Sequence, residues 1–106
     1  MTNTSLYGTR VTTTANSSTA AAAAIAGVSG TTIYISDVSG SSDLAGAVLQ
    51  VKDGSTVIWQ DRISNTSAAV YNFSTPLACT IGNSATVTVN GTSACNANVV
   101  GFTITP

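Results

Sequence analysis

Histidine is absent from this 106-residue chain, which carries only three Lys or Arg and four Asp or Glu. Without imidazole, a serine or threonine nucleophile has no ordinary general base, and a single lysine does not replace one. Triad-type catalysis is therefore excluded by composition. Charged residues make up 7% of the chain, against about 25% in a typical soluble domain. No basic field exists to attract nucleic acid or an anionic membrane. With a net charge of −1, copies of the chain scarcely repel one another, so self-association is expected.

Long apolar runs are missing too. The longest, Ala20 to Ala26, falls well short of the roughly 20 residues that span a bilayer. Preceded by one lone Arg10, it does not read as a signal peptide either.

The four carboxylates each have a local explanation. Asp53 is a turn residue, Asp43 lies in a Ser-Gly-Ser-Ser-Asp loop, Asp37 closes a strand, and Asp61 beside Arg62 is a strand-end surface charge. Asp37 and Asp43 bracket Val38 to Ser42, but the pattern does not match the twelve-residue calcium loop. Gly27, Gly30, Gly40 and Gly46 are not followed by the Gly-Lys-Ser/Thr of a phosphate loop and read as turns. The sequence thus predicts no enzyme, no catalytic residues, no cofactor and no metal site. Five Asn-x-Ser/Thr sequons, at Asn3, Asn16, Asn65, Asn72 and Asn90, are what a Ser/Thr-rich chain produces by chance.

Cys79 and Cys95 are close enough in sequence to meet across neighbouring strands, and a bridge between them would add on the order of 3 kcal/mol by restricting the unfolded chain. The other reading is two buried free thiols acting as small hydrophobes; spacing does not choose between them. Zinc would be under-coordinated by two thiolates alone.

What the chain does contain is Thr, Val, Ala, Ser and Gly in period-two alternation, the pattern of strands that bury one face. Thr9–Thr14 is a Thr-rich edge-strand candidate. Thr31–Val38 alternates clearly, with Ile33, Ile35 and Asp37 on one face and Tyr34 and Ser36 on the other. Ala47–Lys52 and Thr56–Ile63 flank Asp53-Gly54, the strongest hairpin signal in the chain. Val57 and Trp59 share one face of that second strand, and Trp59 is the expected core anchor because it can bury the most apolar surface. Ala68–Phe73 follows, ended by Pro76. Ala85–Asn90, with Val87 and Val89 inward, precedes an Asn90-Gly91 turn, and Asn98–Thr105 is the last strand. The Ala20–Ala26 run is too short to hold a helix alone and is read as extended.

Seven or eight short antiparallel strands at regular spacing predict an all-β domain, a β-sandwich or jelly roll. Residues 21–106 form that domain. Residues 1–20, rich in Asn, Thr and Ser, are expected as a flexible N-terminal arm.

From Gly30 to Pro106 the chain resembles the small β-sandwich decoration, or cement, proteins of tailed bacteriophage capsids. The resemblance lies in Gly-Thr-Thr-Ile-Tyr-Ile-Ser-Asp-Val-Ser-Gly-Ser-Ser-Asp-Leu-Ala-Gly-Ala, Val-Lys-Asp-Gly-Ser-Thr-Val-Ile-Trp and Thr-Ile-Gly-Asn-Ser-Ala-Thr-Val-Thr-Val-Asn-Gly-Thr. It implies a structural virion protein on the outer capsid surface that bridges major capsid proteins as a homo-oligomer, trimer before dimer, with neither nucleic acid nor membrane as partner. On this reading Trp59, Tyr71 and Phe102 serve core or interface packing, and Met1 to Thr19 reaches the capsid. The cysteine pair departs from the resemblance. It keeps open a secreted or cell-surface adhesin or pilin-like module, and a tail, collar or fibre-base position is a further alternative.

Overall fold

The computed structural model describes residues 9–63, 68–91 and 94–105. Eight strands follow one another: β1 (Thr9–Ser17), β2 (Ala20–Ile25), β3 (Thr32–Ser42), β4 (Ala47–Asp53), β5 (Thr56–Ile63), β6 (Ala69–Ala78), β7 (Ala85–Asn90) and β8 (Cys95–Ile104). They form two four-stranded antiparallel sheets, ordered β1-β8-β3-β6 and β2-β7-β4-β5. This is the interleaved order of a jelly roll, in which consecutive strands repeatedly cross between layers.

Period-two alternation explains the layering. Ala21, Ala23 and Ile25 of β2 point inward while Ala20, Ala22 and Ala24 face solvent. Val87 and Val89 of β7 are buried, as are Leu49 and Val51 of β4, and they meet Ile33, Ile35 and Val38 of β3 and Val99 of β8. The core is thus built from β-branched and small residues, which suit a pleated surface. Trp59 is not its anchor; it lies half-buried against the margin. The reason is position, because β5 is the outermost strand of its sheet and has a neighbour on one side only.

The Ala20–Ile25 segment is extended, paired with β7 along its whole length. Ladder bonds and tertiary burial outweigh alanine's intrinsic helical preference. Part of the expected arm is also a strand: Thr9–Ser17 pairs with β8 from Thr9↔Thr103 to Ser17↔Cys95, with Val11 and Ala15 packed on the core. Of the span 1–20, residues 1–8 lie outside the described residues.

Two bulges reset the alternation expected from sequence. In β3 the register shifts between Ile35 and Asp37 against both β6 and β8, so Asp37 lies within the strand, not at its end. Ile35 remains buried and Val38 takes the next inward position. In the β4–β5 hairpin, Val51 pairs with Trp59 and Lys52 with Val57, leaving Ile58 as the extra residue. Val57 and Trp59 therefore do not share a face.

Pro76 lies inside β6 and does not end it. Between Asn72↔Asp37 and Leu77↔Ile35, residues 73–76 have no register partner on β3. A missing N–H there costs no ladder bond on an edge strand.

Two glycines hold special places. Gly54 closes the β4–β5 hairpin with φ +61°, as the Asp-Gly signal requires. Gly101 of β8 runs so close to β3 that a Cβ would approach the Tyr34 carbonyl oxygen to 2.5 Å.

The three basic residues all sit in paired strands: Arg10 opposite Phe102, Lys52 opposite Val57 and Arg62 opposite Val48.

Candidate interaction surface

The two sheets end side by side at β5 and β6, and the aromatic residues gather there. Trp59 of β5 meets Tyr71 of β6 edge-on, with ring centroids 4.8 Å apart at 65°, and Phe73 at 5.3 Å and 84°. Edge-to-face pairs of this kind are favoured by the ring quadrupoles. Beside them the Tyr71 hydroxyl donates to Asp61 Oδ2 of β5 at 2.6 Å. That bond, with the Arg62 backbone N–H, holds the Asp61 carboxyl below its ordinary value. The same bond, with burial and the Asp61 charge, raises the Tyr71 phenol.

Around this seam lies exposed apolar surface: Val57 is 41% exposed, Ile58 37% and Val70 68%. Outer-edge strands also present main-chain groups that pair with nothing on their own sheet. At the opposite margin β1 and β2 are the outer strands and lie against each other. Their outward side chains are small and, apart from Arg10, uncharged: Thr12, Thr14 and Asn16 on β1 and Ala20, Ala22 and Ala24 on β2.

Of the three residues singled out from sequence for packing, the fold brings two together. Trp59 and Tyr71 join the seam, whereas Phe102 lies on the outer face of the first sheet, stacked on Tyr34 at 5.2 Å and 12°. Phe73, Asp61 and Tyr34 were not singled out for this purpose. The alternation Ala69-Tyr71-Phe73 does place both rings of β6 on one face, the signal that finds Phe73; nothing local in sequence pairs Asp61 with Tyr71.

Cys79 and Cys95 are free and buried. The Cys79 amide donates to the Ile33 carbonyl, while Cys95 pairs with Ser42. The two thiols are thus separated by the length of β3 from Ile33 to Ser42, roughly 30 Å at about 3.3 Å per residue. A disulfide needs Cα atoms within about 7 Å, so no bridge joins them. Burial, and then the negative charge of Asp53, push the Cys79 thiol up to about 11.

Asp53 ties the β4–β5 turn to the loop before β7. Its Oδ2 accepts from the Thr80 amide at 3.0 Å and the Thr80 hydroxyl at 2.7 Å, and its Oδ1 from Asn83 Nδ2 at 3.0 Å. Partial burial acts to raise its pKa, but these donors outweigh it and the net direction is downward. Asp37 and Asp43 do not converge: one lies at the β3 bulge and the other beyond the end of β3. Among the described residues, no three Cys or Asp side chains gather as a metal site would require.

Open grooves mark both outer sheet faces. One of about 440 Å³ on the second sheet is lined by residues including Val48, Gln50, Lys52 and Thr88. One of about 280 Å³ on the first sheet lies at the β3 bulge.

Neither a protein-family model nor a curated protein sequence matches the chain. Solved structures do resemble it in fold. The subunit of the disulfide-linked pili of Bacillus endospore appendages aligns over 98% of this chain and 96% of its own, with a TM-score of 0.52 and 13% identity. The CBM36-1 domain of a multidomain xylanase from the hindgut metagenome of Trinervitermes trinervoides aligns over 83% of this chain and 73% of its own, at TM-score 0.44 and 17% identity. The particle of the extra small virus of the prawn Macrobrachium rosenbergii aligns over 96% and 84%, at TM-score 0.35 and 17% identity. At these identities the likeness is one of fold, an all-β sandwich.

Proposed function

We propose that this chain is a structural subunit that acts by lying against copies of itself and against a larger extracellular or virion surface. The observation that carries the reading is the β5–β6 seam. Two edge strands end together there, flanked by exposed Val57, Ile58 and Val70, with the Asp61 carboxylate engaged by Tyr71. Edge strands can add to a partner's sheet by main-chain bonds. Repetition across an assembly makes individually weak contacts strong.

The finer reading is a capsid decoration protein that bridges major capsid proteins on the outer surface of the head, and it rests on the sequence resemblance. A protein that binds only the assembled shell stabilises it by mass action. A pilus-like filament subunit is the second reading, favoured by the near-complete two-way coverage of the endospore appendage subunit. Free, buried Cys79 and Cys95 give such a filament no evident covalent link, so packing alone would hold it.

Native mass spectrometry with negative-stain imaging tests the proposal. A closed ring that binds phage heads supports decoration; filaments formed by the protein alone support the second reading. Ile58→Lys and Val70→Lys should weaken either assembly while the circular dichroism stays β-rich. A strictly monomeric protein at high micromolar concentration, with no affinity for any particle, overturns both.

A further inference from the structure

A bulge in a central strand leaves one residue outside the ladder, bends the sheet and re-aims a side chain, and such bulges concentrate beside functional sites. The β3 bulge falls between Ile35 and Asp37 and shifts register against both neighbours at once. Above it lies the 280 Å³ groove, to which all four strands of the sheet contribute. Of the chain's three basic and four acidic residues, one of each lines it, Arg10 and Asp37. Asn72, Asn98 and Ser39 surround them, and Val70 and Val100 supply apolar surface.

These polar groups are largely uncommitted. The Asp37 carboxylate accepts from the adjacent Ser36 hydroxyl at 2.9 Å, and Asn98 Oδ1 accepts from Thr14. Arg10 and Asp37 form no ion pair with each other, and the side chains of Arg10, Ser39 and Asn72 hydrogen-bond no described residue. In a chain so poor in charge, this groove gathers five polar side chains, one cationic and one anionic, over a break in the ladder, all of them open to solvent and so available to a ligand.

We propose that this groove binds one pyranose ring of a neutral glycan. Planar carboxylate, amide and guanidinium groups each present paired acceptors or donors that match vicinal hydroxyls. One positive and one negative charge together give no preference for an ionic ligand. Valine methyls suit the C–H face of a sugar, and the groove lies just below the roughly 300 Å³ at which sites for drug-sized ligands begin. One row along the register, Arg10 stands opposite Phe102 and Phe102 opposite Tyr34. The groove opens on the outer face of the first sheet and shares Val70 with the exposed apolar surface beside the β5–β6 seam.

Saturation-transfer difference spectroscopy reads the sugar and works on large assemblies, so it applies whatever the oligomeric state. Cellotriose, maltotriose and N,N′,N″-triacetylchitotriose are the probes. At least one is expected to show saturable transfer with millimolar affinity. Asn72→Ala, on an exposed edge-strand position, and Asp37→Ala should each weaken binding about tenfold, the worth of a hydrogen bond to a polar or charged group. Thr88→Ala in the groove of the other sheet should leave it unchanged. No transfer to any of the three sugars, or equal affinity in the Asn72→Ala protein, overturns the proposal.

Discussion

The Tyr71 hydroxyl and the Asp61 carboxylate, 2.6 Å apart, join the edge strands of two different sheets. No ladder bond connects β5 to β6, so this contact and the aromatic cluster beside it hold that margin of the sandwich together.

The bond has a pH window. A depressed Asp61 pKa contributes stability above its unfolded value near 4, and that contribution is lost as pH falls through the folded value. A raised Tyr71 pKa contributes below its unfolded value near 10, and that is lost as pH rises through the folded value. The contact therefore works between these limits. Tyr71→Phe should lower the melting temperature slightly at pH 7 and have less effect at pH 2. Melting curves of both proteins across pH check this; an equal deficit at both pH values contradicts it.

Trp59 is large but marginal, and Leu49 is small but sealed. Leu49→Ala should cost about 3–4 kcal/mol, because it opens a cavity where nothing can collapse. Trp59→Ala should cost less, about 2 kcal/mol, because part of the ring already meets solvent. Urea unfolding of the two variants ranks them, and the reverse order would restore the tryptophan as core anchor.

Asp53 accepts three hydrogen bonds where the β4–β5 turn meets the loop before β7. Asp53→Ala should lose about 1 kcal/mol, kept low by solvent access. Its folded pKa is depressed, so the loss should be present at pH 7 and shrink as pH falls below about 4. Denaturant midpoints at pH 7 and pH 3 measure the difference.

The two thiols should be silent in the folded protein. A thiol raised to about 11 and buried offers almost no thiolate at pH 8. Ellman's reagent should titrate Cys79 only after denaturation, when both thiols count. A reducing agent should leave the melting temperature unchanged. A drop on reduction would show a bridge after all.

The sequence shows its fold most clearly where the chemistry is local. Asp53-Gly54 announces its hairpin because a tight turn needs positive φ, and the period of Ala85–Asn90 places Val87 and Val89 inward without reference to anything else. What lies across the sheet is hidden. The bulges at Asp37 and Ile58 come from mismatch between neighbouring strands, so alternation counted along one strand misplaces Asp37 and Val57. Pro76 looks like a strand end until β6 is seen to be an edge that leaves β3 at residues 73–76. The 15 residues between Cys79 and Cys95 say nothing of the opposite ends of β3 on which the two thiols fall. The seam depends on which strands end their sheets, and only the order of the sheets reveals that.

Trypsin has three targets here, Arg10, Lys52 and Arg62, and each is clasped in a β-ladder. A protease needs a length of chain lifted free of its neighbours; Lys52, paired with Val57 on one side and Thr86 on the other, comes free only through substantial unfolding, whereas Arg10 and Arg62 on edge strands need only local opening. The central cut would then proceed at the pace of that opening, so the interior of the second sheet outlasts its margins without any cross-link.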